Sequence, residues 1–254
     1  MDWLMENPLT IIIPVLNEED AIPETLRALI DAVPHTDIVV VDDHSTDGTP
    51  NIVESFAAEH SRVRLVHNEM ERGFANALKT GFKTATTEFV LPVMGDLCDE
   101  VAKIPEMLEV CLDGDCDLVC GSRYIKGGRK EGGPRIQTFF SWLFGITIHL
   151  LTGIATHDIS NSFKMYRRSA LEAITIESSM FEVSMEMTLK VFFQGGKVAE
   201  VPTVWLHRKQ GESKFHPLPL VSAYGRWYVY AVSGAVKRRL RNPLPGWRGE
   251  HDGK

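Results

Sequence analysis

The chain has 254 residues, 44% of them hydrophobic, and a formal net charge of −7. That is enough apolar sequence to bury a sizeable core, in one large α/β domain or two small ones, and the acidic balance excludes a general nucleic-acid binder. No uninterrupted stretch reaches the roughly 20 apolar residues of a membrane span, and the N-terminus lacks the basic start and apolar run of a secretion signal, so a cytoplasmic protein is expected.

In chain order, residues 9–13 form a β-branched apolar run closed by Pro14, the pattern of a fully buried strand. Asn17-Glu18-Glu19-Asp20 follows, then Ile22, Leu26, Leu29, Ile30 and Val33 at helical spacing, with Pro34 as the stop. Residues 38–41 are a second buried strand running into Asp42 and Asp43; Thr49 before Pro50 reads as the N-cap and first position of the next helix. A third strand spans 63–66, a helix 73–85, and a fourth strand 88–93. Ile104, Met107, Leu108 and Cys111 mark a further helix, and 118–120 a fifth strand. This alternation is that of βαβ units around a mostly parallel sheet.

After Cys120 the character changes. Gly127-Gly128 and Gly132-Gly133, set among charges, read as a mobile loop, either a lid or a solvated connection. Residues 139–151 are almost wholly apolar, a core helix by default or one lying on a bilayer surface. A polar loop from His157 enters an alternating strand, and His149 and His157 have no further histidine at ligand spacing, so structural roles are expected. Residues 183–193 form a helix carrying Glu186 as a surface acid; 198–201 and 204–206 are strands separated by Pro202; and 218–240 is a final helix with Trp227, Tyr228 and Tyr230 before Lys237-Arg238-Arg239. From Trp205 to Arg241 the charges are basic except for Glu212, which suits a phosphate or an anionic membrane surface. Cys98, Cys111, Cys116 and Cys120 show no zinc spacing and read as buried thiols in a reducing compartment.

Carboxylates follow three strand ends: Glu18, then Asp42 and Asp43, then Asp96, Asp99 and Glu100. In a parallel sheet these ends share one edge, where ligands bind. The edge offers hydrogen-bond acceptors suited to a ribose and base, and clustered oxygens suited to a hard divalent cation bridging to phosphate; the alternative for the strand-four turn is a solvated acidic turn. Neither G-x-x-x-x-G-K-[ST] nor G-x-G-x-x-G follows the first strand, which disfavours an ATPase or a nicotinamide-dependent dehydrogenase.

Ile11-Ile12-Ile13-Pro14-Val15-Leu16-Asn17-Glu18, Val39-Val40-Val41-Asp42-Asp43-His44-Ser45-Thr46-Asp47-Gly48-Thr49 and Arg208-Lys209-Gln210-Gly211-Glu212-Ser213-Lys214 together resemble a family 2 glycosyltransferase, nearest to the dolichyl- and polyprenyl-phosphate mannosyltransferases, over about residues 10–215. The resemblance implies a GT-A fold; with the basic C-terminal helix at about 217–241 it makes a single domain over residues 1–241, and 242–254, rich in Pro, Gly and charge, reads as a flexible tail. The resemblance also implies a nucleotide-sugar donor, of the GDP-mannose or UDP-glucose type, and a divalent metal, Mg²⁺ or Mn²⁺. By motif position Pro14, Leu16, Glu18, Val41 and Asp43 line the nucleotide, Arg123 contacts phosphate, and Arg208 and Lys214 lie around the donor and acceptor phosphates. Relatives carry D-A-D-L-Q at the strand-four turn. Here Met94-Gly95-Asp96-Leu97-Cys98 takes that place on the donor side, leaving Asp96 as the metal ligand, with Asp99, by spacing, the nearest substitute for the missing ones. Asp158 to Phe163 resembles the family's D-P-M-S-G-F-F loop, with Asn161 in place of glycine.

The expected function is transfer of the sugar, with inversion, to a polyprenyl phosphate at the cytoplasmic membrane face. Asp96, Asp99 and Arg123 are the candidate catalytic residues, and Arg208 or Lys214 would also offset charge on the leaving diphosphate. A saccharide hydroxyl as acceptor would instead need a carboxylate base, Asp99 or Asp158. A catalytically silent nucleotide-sugar-binding protein is the reading from a different class.

Overall fold

The computed structural model describes residues 8–207 and 217–241. The chain alternates as β1 (Leu9–Val15), α1 (Ile22–Ala32), β2 (Asp37–Asp42), α2 (Thr49–Glu59), β3 (Val63–His67), α3 (Phe74–Thr84), β4 (Phe89–Pro92), a 3₁₀ turn (Val101–Lys103) running into α4 (Ile104–Asp113), and β5 (Leu118–Ser122). It continues as β6 (Arg129–Glu131), α5 (Arg135–Thr152), β7 (Lys164–Arg167), α6 (Arg168–Glu172), α7 (Val183–Phe193), β8 (Val198–Pro202), β9 (Val204–Leu206) and α8 (Pro217–Arg241).

Seven strands form one sheet in the order β3-β2-β1-β4-β7-β5-β8. All pairs are parallel except those of β7, which runs antiparallel to β4 and β5. The reversal of β7 matters for the site. Its entry loop, residues 157–163, arrives at the same edge where β1, β2, β4, β5 and β8 end. The expected mixed α/β architecture is therefore observed.

Every residue of β1 is buried. Its alternate side chains serve opposite layers: Ile11 and Ile13 pack with Leu26, Leu29 and Met107, and Ile12 packs with Leu78 and Met187. A strand covered on both faces has no polar positions to show, which is why it reads as a continuous apolar run. Pro14 is tolerated in this central strand because β4 pairs with β1 only over Leu9–Ile12, so the missing amide interrupts no ladder there.

Three local readings need correcting. Thr49 does not cap α2; Gly48 does, and the Thr49 hydroxyl instead accepts the Glu18 amide across the loop. The glycine-rich loop is not free, since its centre is β6, paired in parallel with β9. Residues 139–151 are no core helix. Along α5 only Gly145, Ile148 and Thr152 are buried, while Ile136, Phe139, Phe140, Trp142 and Leu150 face outward. The helix is anchored through Gly145, where a Cβ would lie 2.0 Å from the His157 carbonyl oxygen. The tail expected over 242–254 lies outside the described residues. Among the described residues no helix is long and apolar enough to cross a membrane.

Candidate functional site

The β1 and β2 loops are stitched together at the carboxyl edge. Asn17 adopts a left-handed φ of 50°. Its side-chain oxygen accepts the Thr46 amide at 2.7 Å and its own amide donates to the Ser45 hydroxyl at 2.9 Å. Asp43 follows β2, and its amide donates to the Val15 carbonyl. The Asp43 carboxylate accepts from Asn68 Nδ2 at 2.7 Å and from the Gly73 amide at 2.9 Å. Asn68 is itself fixed by the Met70 amide and the Thr80 hydroxyl. Neutral donors thus hold Asp43 with acceptor capacity to spare, the arrangement that reads a hydroxyl or a ring N–H. Pro14 and Val41 lie side by side in the β1–β2 register and are buried structural neighbours of this loop, whereas Leu16 and Glu18 are partly exposed at the edge.

Beyond β4 the chain makes a tight turn. A Cβ on Gly95 would lie 3.0 Å from Val15 Cγ1 and 3.8 Å from Glu18 Cγ, so glycine lets this turn close on Glu18. Leu97 takes a φ of 53°, a costly conformation for a branched residue. In this turn Asp96 Oδ1 accepts the Cys98 amide and Asp99 Oδ2 accepts the Met94 amide, both at 3.2 Å. Asp99 is buried, and burial, with the Asp96 charge adding to it, pushes its carboxyl up to about 7. A buried carboxylate raised by a neighbouring aspartate's charge is what a cation between the two would relieve, and an all-oxygen pair suits a hard divalent ion. Asp96 and Asp99 therefore fit such an ion. No third His, Cys, Asp or Glu joins them among the described residues, so substrate oxygens and water would complete its shell.

Arg123 follows β5. It does not reach outward as a free cation. Its Nε donates to Asp158 Oδ2 at 2.6 Å, its Nη2 to Asp158 Oδ1 at 2.8 Å, and its own amide to Oδ2 at 3.0 Å. Nη2 also reaches the Ser160 hydroxyl. The Asp158 side chain is fully buried and that of Arg123 is 9% exposed. Despite that burial, the guanidinium holds the Asp158 carboxyl below its usual range. Asp158, named above as a candidate base, is therefore a poor one. Arg123 also acts on Asp99, which favours the ionised form of that acid, so the two aspartates flank one guanidinium. The pairing joins residues 35 apart in sequence and no spacing signals it.

The β6–β9 ribbon closes one side of the site. Trp205 forms a bridge with Asp99, the Leu206 amide donates to the Cys98 carbonyl, and the Val204 amide to Glu100 Oε2. The acidic turn after β4 and the strand leading into the Arg208 motif are thus one hydrogen-bonded unit as far as His207. Arg208 and Lys214 lie outside the described residues.

Other readings change in three dimensions. Glu186 is no surface acid; it is fully buried, accepting the Glu177 and Ser178 amides and the Lys190 ammonium. His149 and His157 stack at 4.1 Å, with Nδ1 of the first on the Ile154 carbonyl and of the second on Glu200. All four cysteines are buried and free, as expected from their spacing.

A family model described as Glycosyl transferase family 2 matches residues 10–175. An undecaprenyl-phosphate mannosyltransferase of Micrococcus luteus is 32% identical over 209 residues, which is 80% of this chain and 85% of that protein. A polyprenol monophosphomannose synthase of Mycolicibacterium smegmatis is 28% identical over 235 residues, 90% of this chain and 88% of its own. Among solved structures, glucosyl-3-phosphoglycerate synthase from Mycobacterium tuberculosis with Mn²⁺, uridine diphosphate and glucosyl-3-phosphoglycerate superposes with a TM-score of 0.66 at 18% identity, covering 91% of this chain and 80% of that one.

Proposed function

The chain belongs to glycosyl transferase family 2, and from that premise we propose that it is an inverting, polyprenyl-phosphate-directed transferase. It would take a hexose from a nucleoside-diphosphate donor of the GDP-mannose or UDP-glucose type. The observation that carries this reading is the convergence at one sheet edge of Glu18, Asp43, Asp96 and Asp99 beside the buried Arg123–Asp158 pair. The names of the relatives support the lipid acceptor. The unit of activity is the stretch 1–241.

Asp43 accepts hydrogen bonds from the nucleoside, with Pro14, Leu16, Glu18 and Val41 shaping its seat. Met94 and Gly95 border the diphosphate. Asp96 and Asp99 would hold Mg²⁺ or Mn²⁺, which when bound supplies positive charge to the leaving diphosphate oxygens. Arg123 adds a preorganised positive field that costs no reorganisation, because Asp158, Ser160 and the β7 entry loop already fix it. Arg208 and Lys214 are assigned to the same phosphates on their motif alone. A lipid phosphate is already ionised near pH 7, its second pKa being about 6, so no general base is required. The hydroxyl-acceptor alternative draws on the burial of Asp99 beside Asp96, which pushes its carboxyl up to about 7, a suitable value for a base.

Membrane proximity belongs to the same reading. α5, with outward Phe139, Phe140 and Trp142, packs on α8 through Phe144 against Tyr224 and Tyr228, and at its end exposed Leu150 and Leu151 line a shallow groove with Arg238 and Arg239 of α8. An apolar face rimmed by cations fits an anionic bilayer surface.

The test crosses a panel of nucleotide sugars with polyprenyl phosphate and soluble saccharides, with and without Mn²⁺ or Mg²⁺. Nucleoside diphosphate should be released only when metal and polyprenyl phosphate are both present. Full activity in EDTA refutes the metal role. Activity on a soluble saccharide and none on the lipid refutes the acceptor.

A further inference from the structure

Lys130 lies at the centre of β6, opposite Trp205 in the β6–β9 register. Its ammonium sits 4.8 Å from the Trp205 ring centroid. The Trp205 backbone is in turn bridged to Asp99. Lys130 therefore stands beside the metal turn, over a ring that favours a cation. Its loop neighbours spend their charges elsewhere, Arg129 on Glu131 and Arg123 on Asp158. Among the described residues Lys130 makes no ion pair, and it is half-buried. The Lys130 tip and the His207 ring both approach Gly133, which has a φ of 79° and whose Cβ, if present, would lie 3.6 Å from Lys130 Nζ and 3.7 Å from His207 Nδ1.

We infer that Lys130 is a phosphate-positioning residue of this transferase, receiving on its ammonium a phosphate oxygen of either the leaving nucleoside diphosphate or the acceptor phosphomonoester. The inference rests on the reading that both substrates carry phosphate. Charge balance argues for it. The acidic turn that carries Asp96 and Asp99 is bridged to the ribbon at Trp205, and Arg123 is already matched by Asp158. Beside the metal that Asp96 and Asp99 would hold, and Arg208 and Lys214 assigned on their motif, Lys130 adds a positive charge from the ribbon that can meet a phosphate oxygen directly. Burial and the Arg123 charge lower the proton affinity of Lys130, with the Asp158 charge opposing them. An arriving anion would reverse that effect.

The experiment is isothermal titration of the full chain with guanosine or uridine diphosphate in Mn²⁺, and separately with undecaprenyl phosphate in neutral detergent micelles. It compares wild type, Lys130→Met, Lys130→Arg and, as a control, the exposed Lys126→Ala. Lys130→Met should weaken one of the two ligands by about 10- to 100-fold, the range of a charge-assisted hydrogen bond. The ligand affected identifies the phosphate. Lys130→Arg should restore most of the loss and Lys126→Ala should show none. Unchanged affinity of Lys130→Met for both ligands overturns the inference alone. A loss in Lys130→Arg as large as in Lys130→Met also overturns it, because packing on Trp205 would then explain the effect. A wild-type protein that binds neither ligand overturns the functional reading and the inference with it.

Discussion

Replacing Asp158 by asparagine should be among the most costly single substitutions in this protein. The side chain is fully buried and receives three bonds from Arg123, through its amide, Nε and Nη2, and a fourth from the Asn161 amide. Asparagine keeps the shape. It removes the charge and turns an NH₂ toward donors, leaving a buried guanidinium without its counter-ion. Breaking one partner of a buried pair costs about 3–5 kcal/mol. The same pair predicts a pH dependence. The Asp158 carboxyl titrates below its usual range in the folded state, so its contribution to stability is complete above the unfolded carboxylate value of about 3.9 and is lost as pH falls below it. Urea denaturation at pH 7 and at a series of pH values down to 3 measures both effects. Asp158→Asn should lower the unfolding free energy by at least 3 kcal/mol at pH 7, a gap that narrows toward pH 3. A loss under about 1 kcal/mol, or a gap that does not change with pH, would refute the claim that this pair is a buried ionic tie.

Gly145→Val should destabilise the fold by about 2–3 kcal/mol or more, because its Cβ meets the His157 carbonyl oxygen at 2.0 Å and α5 must lift off the β7 entry loop; thermal unfolding reads this directly. Lys164 is fully buried, donating to the Ile159 carbonyl and the Ser184 hydroxyl, and burial lowers its pKa to about 8. Because the folded value lies below the unfolded one of about 10.4, this group makes the protein gain stability as pH rises from about 8 toward 10; Lys164→Met should flatten that part of the profile in denaturant titrations. Phe139→Ser with Trp142→Ser should reduce sedimentation with anionic vesicles several-fold, and wild-type binding should weaken as salt rises from about 0.05 to 0.5 M. Wild-type binding that does not respond to salt would remove the role assigned to Lys237, Arg238 and Arg239.

Much of this protein was legible in one dimension. Buried parallel strands are nearly pure apolar runs, and their ends are marked by abrupt polarity, so β1, β2, β4 and the carboxylates Glu18, Asp43, Asp96 and Asp99 follow from local pattern alone. The helix α7 was read at its observed bounds for the same reason. Helix-surface assignments failed where polarity misled. Glu186 is buried because two backbone amides and Lys190 compensate its charge, and no composition rule shows such partners. The apolar run in α5 failed in the opposite sense, since hydrophobicity by itself does not say what lies opposite a helix.

The turn after β4 shows the same division. Its sequence determined that an acidic loop closes a buried strand, with Asp96 and Asp99 as its carboxylates. Only the tertiary structure decided that Asp99 is buried, that Arg123 stands near it already paired to Asp158, and that Trp205 bridges it with Lys130 overhead. Local pattern fixes strand ends because burial is periodic along the chain. Charge pairing is not periodic: Arg123 and Asp158 meet because β7 runs antiparallel and returns its entry loop to the edge where β5 ends.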